Sequence, residues 1–443
     1  MSVQVSPDRR RVSDAPRYQR RSPARAPLTS PDRVERGGWW ITATVLLLLV
    51  ASEYKIRLRA DDATIAGSAD PFVVLEIACY AAVALYLLWR FGLSIRPTPV
   101  RPMVLAAFGY VALLALSAAG SPYLSLAVVR AGQLVLVLAL SRVITRHGSR
   151  AGLHRLAHGF AVLVAASVAF GVAVPFPRLP HQQDRFTWLY VHPVIAGEYV
   201  GLASVVLVAY LAARRTARPG PQLGWALYAG LLVVCGAGLL ATRTRGAIAG
   251  AVFGALLVLW SLQQGRRRVD LAAVVIGIAT VAGLIGASAV QSFLTRGESS
   301  TQLATLNSRT TLWSQALGAF TEHPIYGYGL GASRGLFLDT IGLGGGHNAL
   351  INLLVDAGLV GAGAWLALLA TLVIGLVRLP HAAGGVSVDR AVMLGIMGFL
   401  LVDSIFTEGL GAAATVAGTW LFVLVAWTDL LRNQFEGHPA ERR

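Results

Sequence analysis

From Pro71 to Leu430 the chain returns repeatedly to apolar runs of about 18 residues or more, each long enough to cross a bilayer. No other feature restricts the fold as sharply. In lipid, every backbone N–H and C=O must find its partner within the chain, so such runs become helices. Composition agrees: 55% of residues are hydrophobic and 14% charged, against roughly 25% charged in soluble domains. Mean hydropathy is +0.61. The expected fold is an all-α polytopic membrane protein with about twelve transmembrane helices. They fall near 39–53, 71–89, 103–119, 123–141, 156–174, 193–213, 224–241, 246–263, 270–293, 348–377, 391–405 and 410–430.

The formal net charge is +16, and Lys55 is the sole lysine. The arginines are spread through short connectors, which argues for membrane topology and against nucleic-acid binding. Residues 1–37 read as a disordered basic cytoplasmic tail, rich in Arg, Pro and Ser. The tail is too long and too poor in apolar residues for a cleaved signal peptide. With this tail inside, the positive-inside rule puts the connectors holding Arg90–Arg101, Arg142–Arg155, Arg214–Arg218, Arg266–Arg268 and Arg378–Arg390 in the cytoplasm. Lys55, Arg57 and Arg59 run against the pattern and are partly offset by Asp61, Asp62 and Asp70. A transmembrane domain over 38–431 and a short cytoplasmic tail over 432–443 follow. The loop 175–192, the turn Arg243–Gly246 and a long loop over 294–347 then share the extracytoplasmic face. Cys79 and Cys235 lie inside apolar runs and read as small membrane residues, not a disulfide or metal pair.

The long loop has internal pattern. Asn307 or Ser308 can cap a helix start. Arg309, Trp313, Ala316 and Phe320 then recur at helical spacing, with Leu312 and Leu317 widening the apolar face. This predicts a short amphipathic helix ending near Thr321, because Pro324 cannot continue it. Glycines at 327, 329, 331, 335, 342 and 344–346 permit tight turns and close approach to a ligand. No Gly-Lys-Ser/Thr follows, so this is not a phosphate-binding P-loop. The run ends at His347-Asn348, at the head of a long apolar helix.

Ionisable groups inside spans are costly and usually functional. Glu76, Arg130, Glu198, Asp356, Asp403 and Glu408 are such groups. Two readings of Arg130 stand: a buried ion pair with Asp356 or Glu76, or an anion-holding residue in a polar cavity open to the outside. His347 reads either as a capping residue or as a site of chemistry. Arg185, Arg243, Arg245 and Arg309 read either as interfacial arginines reaching lipid headgroups or as forks for phosphate. His181, His192, His323 and His347 lack ligand spacing with carboxylates, so neither a metal nor another cofactor is expected.

The stretch His347-Asn348, nine residues, then Gly358-Leu359-Val360-Gly361 resembles the signature of the bacterial O-antigen ligase family. Ser308-Arg309 with Trp313, followed by His323-Pro324-Ile325-Tyr326-Gly327-Tyr328-Gly329, is similar to the family's Arg…Trp…Pro-x-x-Gly-x-Gly run. Thr244-Arg245-Gly246-Ala247 resembles its Ser-Arg-Gly-Ala turn, with Thr in place of Ser. Arg185 ahead of His192-Pro193 resembles the arginine before another proline-led span; Trp188 and His192 depart from the Gly and Asn usual there. The resemblance covers roughly residues 180–375 and extends to O-antigen polymerases and protein O-oligosaccharyltransferases.

The resemblance implies a C-type, metal-independent, inverting glycosyltransferase in the bacterial cytoplasmic membrane. Its donor would be a glycan on a polyprenyl diphosphate; its acceptor would be a glycan, glycolipid or protein hydroxyl. His347 would be the base or a diphosphate-proximal residue, with Arg185, Arg309 and, less directly, Arg245 on the diphosphate and Asn348 beside them. The chemistry is consistent: fixed arginines neutralise a leaving diphosphate, and a histidine suits removal of a hydroxyl proton near neutral pH. A rival class, a transporter or flippase of a lipid-linked anion, would also use such charges, but predicts internal repeats and broken helices. The sequence shows no convincing repeat between halves.

Overall fold

The computed structural model describes residues 38–54, 70–92, 101–174, 185–187, 192–214, 220–263, 309–341, 345–379, 386–413 and 415–437. The expected span 270–293, the tail 1–37, the helix caps Asn307 and Ser308, and residues 438–443 lie outside them. The described residues form helices joined by turns, with no strand among them. In chain order these are α1 (Trp39–Glu53), α2 (Pro71–Phe91), α3 (Pro102–Ser117), α4 (Leu124–His147), α5 (Arg150–Ala173), α6 (Pro193–Ala212), α7 (Trp225–Thr242), α8 (Arg245–Leu262), α9 (Arg309–Glu322), α10 (Ala332–Ile341), α11 (Ala349–Val377), α12 (Val386–Asp403) and α13 (Val416–Gly437).

Eight of these, α2 to α8 and α11, are long and apolar enough to cross a membrane. Together they make the chain a multi-pass membrane protein. α1 is apolar but only 15 residues long. α12 and α13 fall outside that set, and their acidic residues are used inside the bundle. On α13, Asp429 takes both Arg101 and Arg142, each at 2.9 Å. On α12, Asp389 pairs with Arg150 at 2.5 Å and receives the Trp427 indole at 2.8 Å. Basic connector residues that report topology in the sequence therefore also tie helix ends together.

Glycine lets α8 and α12 approach each other closely. On α8 and α12, added Cβ atoms would stand 2.6 Å from the Gly395 carbonyl oxygen at Gly254 and 2.4 Å from Val258 at Gly395. Such small residues let membrane helix backbones approach directly. Cys235 is buried and Cys79 half-buried, and both are free thiols.

α11 is broken rather than bent. Gly358 sits at φ +62°, ψ −161°, outside helical values. The break leaves backbone groups unpaired on both sides, and the segment His323–Gly329 supplies their partners. Tyr328 and Gly329 donate N–H groups to the Val355 and Asp356 carbonyls, both at 2.8 Å. Leu359 and Val360 donate to the Pro324 and Ile325 carbonyls at 2.9 and 3.2 Å. A Cβ at Gly358 would lie 2.3 Å from the Ile325 carbonyl oxygen, so only glycine fits. The break is thus filled by the chain itself. That separates it from the open helix breaks by which transporters hold ions.

α9 starts at Arg309 and ends at Glu322, before Pro324. Its buried face is narrower than the spacing predicts. Ala316 is buried with Phe337 of α10 and Val355 of α11, and Leu312 is buried as well, whereas Leu317 is 48% exposed. The helix meets its neighbours along one ridge, which Leu317 does not reach. The glycine run after it contains α10, a helix the glycines concealed. Gly335 lies within α10 because Tyr123 presses there, within 2.0 Å of where a Cβ would be.

Candidate functional site

The His347 turn is held from four directions. His347 itself has φ +48°, a left-handed backbone that a non-glycine residue adopts only under constraint. Just before it, the Gly346 N–H donates to Asn352 Oδ1 at 2.7 Å, and the Gly346 carbonyl accepts the Trp313 indole N–H at 3.0 Å. Just after it, Asn348 caps α11: its Oδ1 accepts from the Ile351 N–H at 3.0 Å, and its Nδ2 donates to the Ile405 carbonyl at 3.1 Å. Asn352 Nδ2 then donates to Glu408 at 2.5 Å. A Cβ at Gly345 would overlap the Glu408 carboxylate, 2.1 Å away. The glycines beside His347 thus admit an acidic side chain.

Arg185 belongs to a second cluster. Its Nε donates to the Thr242 carbonyl at 2.9 Å and its Nη2 to Thr244 Oγ1 at 3.1 Å. Thr244 Oγ1 donates in turn to the Pro193 carbonyl at 2.8 Å. The α7–α8 turn is tight, with Arg243 at φ +50°. Arg245 opens α8 from this turn, half-buried. Arg185, the start of α6 and the Arg243–Arg245 turn are therefore one unit, as the shared face of 175–192 and 243–246 predicts.

Residues 404–413, which follow α12, connect the two clusters. Phe406 packs on Gly246, where a Cβ would be 2.7 Å away. The adjacent Ile405 carbonyl takes Asn348, and the Ser404 carbonyl takes the Ala349 N–H at 3.1 Å. The sequence shows this segment only as the gap between two apolar runs. Its one visible signal is Glu408, marked among the intramembrane charges.

Five of those six charges border this segment or its cavity, and Glu76 reaches them only through Gln133. Thr407 donates to Asp403 at 3.1 Å, and Glu198 abuts Gly409. Asp356 accepts the Gly331 and Ser333 N–H groups at 3.0 and 2.6 Å, capping α10. Arg130 donates to the Ala413 carbonyl at 3.0 Å. Neither expected ion pair of Arg130 forms: Gln133 lies between it and Glu76, 3.5 Å from Arg130 and 3.2 Å from Glu76. Asp356 is committed to backbone amides instead. A cavity of about 120 Å³ lies beneath the His347 turn, bounded by α3, α4, α10, α11 and the 404–413 segment. Arg130, Arg334, Asn352, Asp356 and Glu408 are its charged and amide lining.

Arg309 begins α9, and its side chain lies outside the described residues, as do His181 and the rest of 175–184. No group of three or more potential metal ligands occurs among the described residues.

The described helices and this site define a multi-pass membrane protein with charged and amide side chains gathered around one cavity. Residues 229–366 match the family model described as O-antigen ligase. That supports the resemblance read from the motifs and points to a membrane glycosyltransferase of ligase or polymerase type. The match takes in the Arg243–Arg245 turn, α9, α10, His347 and the Gly358 break. Arg130, Arg185 and Glu408 fall outside it. No curated protein matches the chain.

Proposed function

We propose that this protein is an inverting glycosyltransferase that moves a glycan from a polyprenyl diphosphate to a hydroxyl of an envelope acceptor. His347 is the general base. Arg185, Arg245 and Arg309 hold the diphosphate, with Arg130 and Asn348 completing the substrate contacts. The domain spans 38–431, both termini are cytoplasmic, and the reaction takes place on the extracytoplasmic side, on the loop 294–347. The observation that carries this reading is the clamped left-handed turn at His347, joined through Ile405 and Phe406 to the Arg185–Arg245 unit.

The acceptor hydroxyl loses its proton to the His347 imidazole as its oxygen attacks the anomeric carbon. The bond from that carbon to the diphosphate oxygen breaks, and its electron pair leaves with the diphosphate. Attack opposite the leaving group inverts the anomeric centre. The arginines offset the negative charge that grows on the leaving oxygen. The N-terminus of α11, which begins two residues after His347, favours the same charge through the helix dipole.

Reconstitution with a polyprenyl-diphosphate glycan tests the reading. Transfer with inverted linkage, read by NMR of the product, is expected. Translocation of the donor across the vesicle membrane without glycan transfer would replace it with the transporter class.

A further inference from the structure

α2 is the least buried of the eight candidate spans, and its exposed face runs through Leu85 and Leu88 to Trp89, which is 82% exposed. Its last turn meets the ends of two other helices. The Phe91 ring stacks on the His147 imidazole at the end of α4, with centres 4.7 Å apart, and lies 4.9 Å from the ring of Trp40 at the start of α1. The Arg90 guanidinium stands 5.5 Å from the centre of the same Phe91 ring, within cation–π range. Trp39, next to Trp40, is exposed as well. Leu126 and Arg130, near the start of α4, line the cavity under the His347 turn, so the end of α4 lies at the opposite end of the bundle. An exposed tryptophan next to an arginine, at the end of an apolar span, fits the boundary between hydrocarbon and lipid headgroups.

The charge gathered there has one sign. Arg146 and Arg90 are the charged groups that act on His147, and no carboxylate of the described residues joins them. Asp389 and Asp429, the acidic residues that α12 and α13 bring to the arginines around it, are held by Arg150, Arg101 and Arg142. We infer that Arg90, Arg146 and His147 bind the phosphate of an anionic lipid in the leaflet opposite His347. A guanidinium matches phosphate geometry with two parallel N–H groups. Basic groups between membrane helices, close to the surface, attract anionic headgroups. Arg90 follows directly on the exposed Leu85–Trp89 face, so a phosphate held there lays its acyl chains along that face. This favours a lipid over free phosphate. A headgroup held by Arg90 from α2 and by Arg146 and His147 from α4 would fasten the least buried span to its neighbour.

Thermal unfolding of the full-length protein in detergent, titrated with phosphatidylglycerol, tests this. Phosphatidylcholine with the same acyl chains and inorganic phosphate are the comparison probes. Phosphatidylglycerol is expected to raise the midpoint saturably, and the other two to leave it unchanged. Arg90→Ala should weaken the apparent affinity for phosphatidylglycerol about fivefold, the attraction of one arginine to an anionic lipid surface, and Arg90→Glu should abolish the effect. Arg378→Ala, at an exposed arginine on the same end of α11, should keep the affinity within about twofold. Arg90 and Arg378 are both exposed, and each affinity is read from the rise that lipid adds to the variant's own midpoint. Unchanged affinity in Arg90→Glu, or an equal loss in Arg378→Ala, would overturn the proposal. So would equal stabilisation by phosphatidylcholine or by inorganic phosphate. None of these outcomes depends on glycan transfer.

Discussion

Asn352 joins the His347 turn to Glu408. Its amide oxygen accepts the Gly346 N–H at 2.7 Å and its nitrogen donates to Glu408 at 2.5 Å. One side chain on the first turns of α11 thus fixes the peptide before His347 and orders an acidic residue from a segment some sixty positions away. Asn352→Ala should release the turn. A displacement of about 1 Å at a reacting group costs roughly 100-fold in rate. We expect a kcat loss of that order with little change in donor KM. Asn352→Asp should be worse than a simple loss of the N–H donor, because it sets a second carboxylate against Glu408. A full kcat in Asn352→Ala would show that the turn holds without its clamp.

Gly358→Ala tests the broken helix. The added methyl would meet the Ile325 carbonyl oxygen at 2.3 Å, and the backbone at φ +62° already disfavours any other residue. Strain of this kind costs about 1–3 kcal/mol. Thermal unfolding in detergent should show a clear drop in midpoint, together with looser packing of 323–329 in hydrogen exchange. An unchanged midpoint would mean that the segment and the helix do not meet as described.

The ion pairs among the basic connectors make a stability prediction that does not involve the site. Asp389→Asn leaves Arg150 without its carboxylate in a buried place, where its partner's side chain is 0% exposed. Removing one member of a buried pair typically costs 3–5 kcal/mol, so a loss of about that size is expected. Transfer activity per folded molecule should stay at the wild-type level. A stable protein with reduced activity would contradict both halves.

Tyr123 supplies a pH test. It donates to Asp339 at 2.8 Å, and burial, reinforced by that carboxylate, pushes its hydroxyl up to about 12. A group whose pKa is raised on folding stabilises fully below its unfolded value, here 10.0, and loses the effect as pH climbs through the folded one. The stability gap between wild type and Tyr123→Phe should be constant up to about pH 10 and close between there and about 12. A gap that closes already near neutral pH would assign the contact to some other titrating group.

Much of this was legible in the sequence. Apolar run length located the eight helices long and apolar enough to cross a membrane, because backbone satisfaction in lipid leaves few choices; the expected spans 39–53, 391–405 and 410–430 fall on helices outside that set. His347, the Arg243–Arg245 turn and the helix stop before Pro324 were visible from residue type alone. Three features were not. α10 was hidden because glycine marks a turn in isolation, while Gly335 is glycine only to accommodate Tyr123, a contact from far along the chain. The role of 404–413 was hidden because a junction between two apolar runs carries no periodicity. The choice between the two readings of Arg130 was hidden, since spacing cannot show that Gln133 stands between it and Glu76. The break at Gly358 lay between: the motif marked the glycine, but only the paired segment 323–329 explains it.

In the mechanism proposed above, His347 removes the acceptor proton. The most direct test is the single-turnover rate of glycan transfer by His347→Ala in proteoliposomes loaded with saturating donor. A positioned base contributes about 10²–10⁴-fold. A rate reduced by that factor, with donor binding intact, is the predicted result. Transfer at the wild-type rate would contradict the account.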